Sequence, residues 1–238
     1  MENQTIKQTE NLGNVVGLLK EKNLEIADVR MGDQVETCIR GDIMVQVKNK
    51  YGISEVKIRI FQKQFYNNGK ENKAFKVFKK VMDEYKAIKG YGEEADAVEV
   101  IVSVSENNYY SEEKNDIVET LTLTATTDFD KGLFTPIKRV AKDAPQSCKI
   151  GFEGYISKVE NKENGEVDIE IIGVGYGSKA IKNKLTVGKD LAIQFQKTYT
   201  QNCSAKLFYV IINEVERKKE TENLGFGEGS DIVIEKIN

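Results

Sequence analysis

Two alternating runs followed by an abrupt change of period constrain this chain more than any other feature. Over 37–47, Ile39, Gly41, Ile43, Val45 and Val47 fall in phase, with Arg40, Asp42, Met44 and Gln46 between them. Over 54–65, Val56, Ile58 and Ile60 form one set, and Lys57, Arg59, Phe61, Lys63 and Phe65 form the other. Period two is the pattern of strands with one buried face. Over 72–89 the period lengthens. Ala74, Phe75, Phe78, Val81, Met82 and Tyr85 recur at helical spacing, with Asn72 placed as an N-cap and Gly90 as a terminator. Alternation then returns over 98–104 (Val98, Val100, Val102, Val104) and over 117–125 (Ile117, Leu121, Leu123, Ala125). With a further strand over 14–19, the order is β-β-β-α-β-β, and the polar, acidic stretch 105–115 reads as a loop.

The second half is β-rich as well. Strands are expected over 149–159, 167–174, 189–199 and 206–216, with a short helix or turn over 178–185. The Asn164-Gly165 pair signals a hairpin between the first two. A weak internal echo links Gly41-Asp42-Ile43 to Gly154-Tyr155-Ile156, and Phe61-Gln62-Lys63-x-Phe65 to Phe195-Gln196-Lys197-x-Tyr199.

Charge is sorted along the chain. Residues 48–89 carry twelve Lys/Arg against four Asp/Glu, although the net charge of the whole is −3. Residues 90–130 carry eleven acids against the single Lys114. Such sorting lets one surface attract a polyanion while the molecule stays mildly acidic. Tyr51, Phe61, Phe65, Tyr66, Phe75, Phe78 and Tyr85 interleave with the basic block.

Composition excludes whole classes of chemistry. Histidine is absent, which removes the usual general base near neutral pH and the commonest zinc ligand. Cys38, Cys148 and Cys203 are far apart, without a CxxC pair, so no metal or redox site is expected and a reducing compartment is. No run approaches about 18 apolar residues, and the polar first eleven residues lack the core of a secretory signal. The expectation is a cytoplasmic protein with no membrane partner, no cofactor and no catalytic role. Gly173-Val174-Gly175-Tyr176-Gly177-Ser178-Lys179 fits neither phosphate-loop pattern, and Asp128-Phe129-Asp130-Lys131-Gly132 is too short for a calcium loop.

The order β-β-β-α-β-β with a basic, aromatic third strand resembles OB-fold single-stranded DNA-binding proteins of the kind bacteriophages encode. The OB-fold is a five-stranded, partly open Greek-key barrel that binds oligonucleotides on the face of strands 2 and 3 and on flanking loops. The resemblance implies an OB-fold domain over 12–127; Pro136, Pro145 and the Asp128–Gly132 turn mark 128–147 as a linker, the internal echo suggests a second β-rich, OB-like domain over 148–216, and 217–238 reads as a charged tail. The resemblance also implies single-stranded DNA as ligand, replication or recombination proteins as partners, a bacterial host cytoplasm, and a chain compatible with oligomerisation.

Strand parity supplies the mechanism. If Val56, Ile58 and Ile60 point inward, then Lys57, Arg59, Phe61, Lys63 and Phe65 point outward together. Arg40 and Lys48 of the preceding strand join them, with Tyr109 and Tyr110 in the loop between strands 4 and 5 and Lys197 in the second half. Cations track phosphates, and each base stacked on a ring contributes about 1–3 kcal/mol whatever its identity. Two readings stay open: Phe61 and Phe65 could instead pack under the helix, and the chain could be a virion tail or capsid component without nucleic-acid binding. A carboxylate-only, metal-dependent nuclease is a third reading, with no motif to carry it.

Overall fold

The inward set of each alternating run closes five strands into a barrel. The computed structural model describes residues 8–50, 52–106, 109–111, 115–118, 120–127, 135–175, 178–211, 215–221 and 231–237. Of these, 109–111, 116–118, 215–221 and 231–237 are described as backbone only. The first half runs β1 (Leu12–Met31), β2 (Gln34–Asn49), β3 (Gly52–Lys63), helix α1 (Lys73–Glu84), a single helical turn α2 (Ile88–Tyr91), β4 (Ala97–Glu106), β5 (Tyr109–Ser111), β6 (Asp116–Val118) and β7 (Leu121–Ala125). β1 pairs antiparallel with β2 and with β4, β2 with β3, and β4 with β7. β3 and β7 run parallel at Ile58↔Leu123 and Arg59↔Thr124, which closes the ring. This order, with a helix between the third and fourth barrel strands, is that of an OB-fold.

Val15, Leu19, Ile43, Val45, Val56, Ile58, Ile60, Val98, Val100 and Val102 fill the interior. Phe75, Phe78 and Val81 of α1 pack into the same core, as their helical spacing predicts. Both ends of α1 are tied down. Asn72 accepts from the Ala74 amide at 2.9 Å as N-cap. Lys22 of β1 donates to the Val81 and Met82 carbonyls at 2.9 and 2.5 Å, a cation on the negative end of the helix.

β1 changes neighbours partway along. Leu12–Leu18 pairs with β4, and from Leu18 onward the strand pairs with β2. Gly17 permits the crossover, because a Cβ there would sit 2.2 Å from the Gln46 carbonyl oxygen.

The second half repeats this device. It comprises β8 (Ile137–Val140), β9 (Ser147–Asn161), β10 (Val167–Val174), β11 (Ala180–Val187), α3 (Lys189–Thr198) and β12 (Ser204–Tyr209), followed by a hairpin of β13 (Val215–Thr221) and β14 (Asp231–Ile237). β9 pairs with β12 up to Tyr155 and with β10 beyond it. A Cβ on Gly154 would meet the Ile172 carbonyl oxygen at 2.4 Å, so Gly154 stands where Gly17 stands in the first half. The order β9-β10-β11-α3-β12 is therefore β-β-β-α-β, an OB-like unit. Among the described residues no strand bridges β11 and β12. β1 also pairs with β9 (Gly13↔Ile150 to Val16↔Ser147), so one sheet runs through both units.

Several expectations need correction. The 189–199 stretch is helix over Lys189–Thr198, and β11 occupies the stretch expected to be a short helix or turn. In α3, Ala192 is buried and the Phe195 and Tyr199 rings meet at 5.1 Å, while Leu191 and Ile193, whose alternation suggested a strand, are exposed. The Phe-Gln-Lys echo thus falls on a strand in one half and a helix in the other. β1 extends far beyond 14–19 because its distal part forms a hairpin with β2 in which none of residues 20–31 is buried, so burial imposes no alternation there. β5 lies within the stretch read as loop. Part of the stretch read as linker is β8, which pairs with β4 at Ala97↔Val140 to Val100↔Ile137. Among the described residues no helix is long and apolar enough to cross a membrane.

Candidate nucleic-acid interface

Parity on β3 is as the sequence predicts. Val56, Ile58 and Ile60 are buried, whereas Lys57 and Arg59 are exposed and Phe61 is half-buried on the outer side. A groove of about 870 Å³ runs over this face. Gly41 and Asp42 of β2 and Lys57, Arg59 and Phe61 of β3 line it, with Glu25 and Val29 from the β1–β2 hairpin on one flank. Leu121, Thr122 and Leu123 of β7 and Ile211 from the second half also border it. Arg40 sits directly across from Phe61 in the β2–β3 register and completes the lining.

A second concavity of about 560 Å³ adjoins the first and is bordered by Phe61, Lys63, Phe65, Tyr66 and Asn72. Phe61 borders both. Phe65 and Tyr66 are each 44% exposed. A turn through Gly69 presents them: the Gly69 amide donates to the Tyr66 carbonyl at 2.9 Å, and the Tyr66 amide to the Lys70 carbonyl at 2.8 Å.

The charge of this surface is more balanced than the sequence block suggests. Arg40 Nε donates to Glu25 Oε1 at 2.7 Å, Lys57 lies 3.1 Å from Asp42, and Lys63 lies 3.2 Å from Glu36. On α1, Lys79 and Lys80 pair with Asp83 and Glu84 one turn on. The acidic block has structural partners too. Lys138 bonds Glu99 at 2.7 Å, Arg139 reaches Asp96 at 3.0 Å, and Lys142 donates to the Glu93 carbonyl at 2.9 Å. The hydrogen bond from Lys138 holds the Glu99 carboxyl below the usual range, helped by Asn14. Arg139 also lies 4.2 Å from the Tyr85 ring centre. Part of the charge sorting therefore fastens β8 to β4 and α1. The groove pairs are exposed ones, worth about 0–1 kcal/mol each, so a phosphate can displace a carboxylate from them.

The structure gathers Arg40, Lys57, Arg59 and Phe61 along the larger groove, and Lys63 and Phe65 beside the smaller one. Lys48 lies at the opposite end of β2, about 25 Å along the strand from Arg40. Its amide donates to Gln146 Oε1 at 2.7 Å. Lys197 is on α3 and borders neither concavity. Tyr109 and Tyr110 lie on β5, and their side chains are outside the described residues. Sequence reasoning missed Tyr66, Glu25 and Ile211. Tyr66 was legible among the interleaved aromatics, but parity stops at the strand end. Glu25 and Ile211 reach the groove through tertiary placement alone.

A closed ring of five strands, a helix before the fourth and a groove across the second and third define an OB-fold protein. Within that class the chain belongs to the YorF family, whose model matches residues 10–238. No curated protein matches the sequence. Among solved structures, the chain is similar to the wild-type single-stranded DNA binding protein from Thermus aquaticus, with 8% identity, a TM-score of 0.48 and 87% of each chain covered.

Proposed function

We propose that this protein binds single-stranded DNA without catalysis and with little sequence preference, protecting or organising it during bacteriophage replication or recombination in a bacterial cytoplasm. The observation that carries the proposal is Phe61: a half-buried ring at the junction of two open concavities, with Arg40, Lys57 and Arg59 along one and Phe65 and Tyr66 in the other. Cations capture the backbone, and bases stack on rings that water otherwise covers. The preference for DNA over RNA follows from the resemblance of the sequence to phage single-stranded DNA-binding proteins.

The test is a titration of labelled oligo-dT at two salt concentrations, with wild type and Lys57→Ala/Arg59→Ala. The expected result is binding that weakens steeply with salt, by a slope of about −0.7 per neutralised phosphate, and a shallower slope in the variant. Equal slopes would mean that those two cations do not face phosphate. A second reading, a virion tail or capsid component, is favoured by the exposure of Val35 (69%) and Ile193 (70%). It predicts self-association and no response to the oligonucleotide at either salt.

A further inference from the structure

The β9–β12 face of the second unit carries an exposed aromatic that the groove does not use. Phe208 is 59% exposed and projects outward from β12, between the inward-facing Leu207 and Tyr209. Its register partner on β9 is Gly151, where a Cβ would lie 3.1 Å from the Phe208 ring, so the ring rests against bare backbone. Lys149 Nζ sits 4.4 Å from the ring centre and Lys206 Nζ 5.9 Å. Lys206 is tied to Glu10 at 2.6 Å, and Glu153 accepts from the Glu10 amide at 3.0 Å. Among the described residues no carboxylate pairs with Lys149. Tyr155, 43% exposed, lies further along the same strand.

The position of this ring relative to the groove decides its role. Ile211 borders the groove and follows Phe208 by three residues, so the two Cα positions are at most about 10 Å apart. Phe208 is therefore within reach of a polymer that leaves the groove past Ile211. We propose that Phe208 and Lys149 form a second stacking station, at which a base lies on the Phe208 ring and Lys149 turns from the ring to an adjacent phosphate. The single strand then crosses from the first unit to the second along one continuous track. This rests on the reading of the β2–β3 groove as a DNA path. The exposure of the ring, once Lys149 has swung off it, and a cation without a carboxylate partner among the described residues supply the complementarity to a base and a phosphate.

The experiment uses the full chain with labelled oligo-dT of increasing length. Phe208→Ala is expected to leave short oligonucleotides, which fill only the groove, unaffected. On longer ones it should weaken binding by about 5- to 150-fold, the range for one stacked base. Lys149→Ala should flatten the salt slope by about 0.7 on the long oligonucleotides alone, and it keeps the proposal testable should Phe208→Ala fail to fold. Wild-type binding that neither variant alters at any length overturns the second station and leaves the groove standing. A wild type without affinity for any oligonucleotide overturns both. Loss of self-association in Phe208→Ala with DNA affinity intact also overturns the proposal, assigning the face to contact between copies of the chain.

Discussion

Glu25 and Asp42 occupy the cations that the proposed ligand needs, so removing them should strengthen binding. Among the groove-lining residues, Arg40, Lys57 and Arg59 face Glu25, Asp42 and Glu55, three cations against three carboxylates. Glu25→Gln with Asp42→Asn leaves three against one and frees Arg40 and Lys57 from partners at 2.7 and 3.1 Å. A carboxylate about 6 Å from a phosphate in solvent-like dielectric repels it by about 0.7 kcal/mol, so two account for about 1.4 kcal/mol, or tenfold in affinity at low salt. At physiological ionic strength, with a screening length of about 8 Å, the gain falls to about threefold. Two freed cations should also steepen the salt slope by about 1.4. Fold stability should change little, since both pairs are exposed and worth about 0–1 kcal/mol each. Fluorescence anisotropy with labelled oligo-dT at about 50 and 200 mM salt measures both quantities. Unchanged affinity and slope in a folded double variant would refute the claim that the strand passes between these residues.

Gly17→Ala and Gly154→Ala each force a Cβ onto a neighbouring carbonyl oxygen, at 2.2 and 2.4 Å. Each should cost about 1–3 kcal/mol and lower the melting temperature by several degrees; an unchanged midpoint would show that the strand crossovers do not need glycine. Burial pushes the Tyr209 hydroxyl up to about 12 from 10.0. The folded state therefore holds this proton more tightly than the unfolded chain, giving stability that is complete below pH 10 and lost as pH rises to about 12. Denaturant midpoints should show a loss of about 2–3 kcal/mol across that window in wild type that is missing in Tyr209→Phe.

The first barrel was legible because each of its strands presents one face to a common core and one to solvent. Val56, Ile58 and Ile60 against Lys57, Arg59 and Phe61 is that asymmetry written in sequence, and it puts the second set on the outer face of β3. The distal part of β1 carries no such record, since none of its residues is fully buried. In α3, the set Ala192, Phe195 and Tyr199 defines the inner stripe, but Leu191 and Ile193 add a competing period two that only exposure resolves. The sequence echo pairs Gly41 with Gly154, whereas the fold gives Gly154 the role of Gly17. Gly17 and Gly154 mark the equivalent positions, through contacts with strands distant in sequence. Charge sorting pointed to a polyanion surface, yet Glu99 and Asp96 serve partly to hold Lys138 and Arg139, a pairing that becomes apparent once β8 lies beside β4.

The most direct test of the DNA path is photocrosslinking of oligo-dT carrying 5-iododeoxyuridine, with adducts mapped by mass spectrometry. The path predicts adducts on Phe61, Phe65 or Tyr66, suppressed by unlabelled oligo-dT. Salt-sensitive binding with every adduct located away from these rings would contradict it.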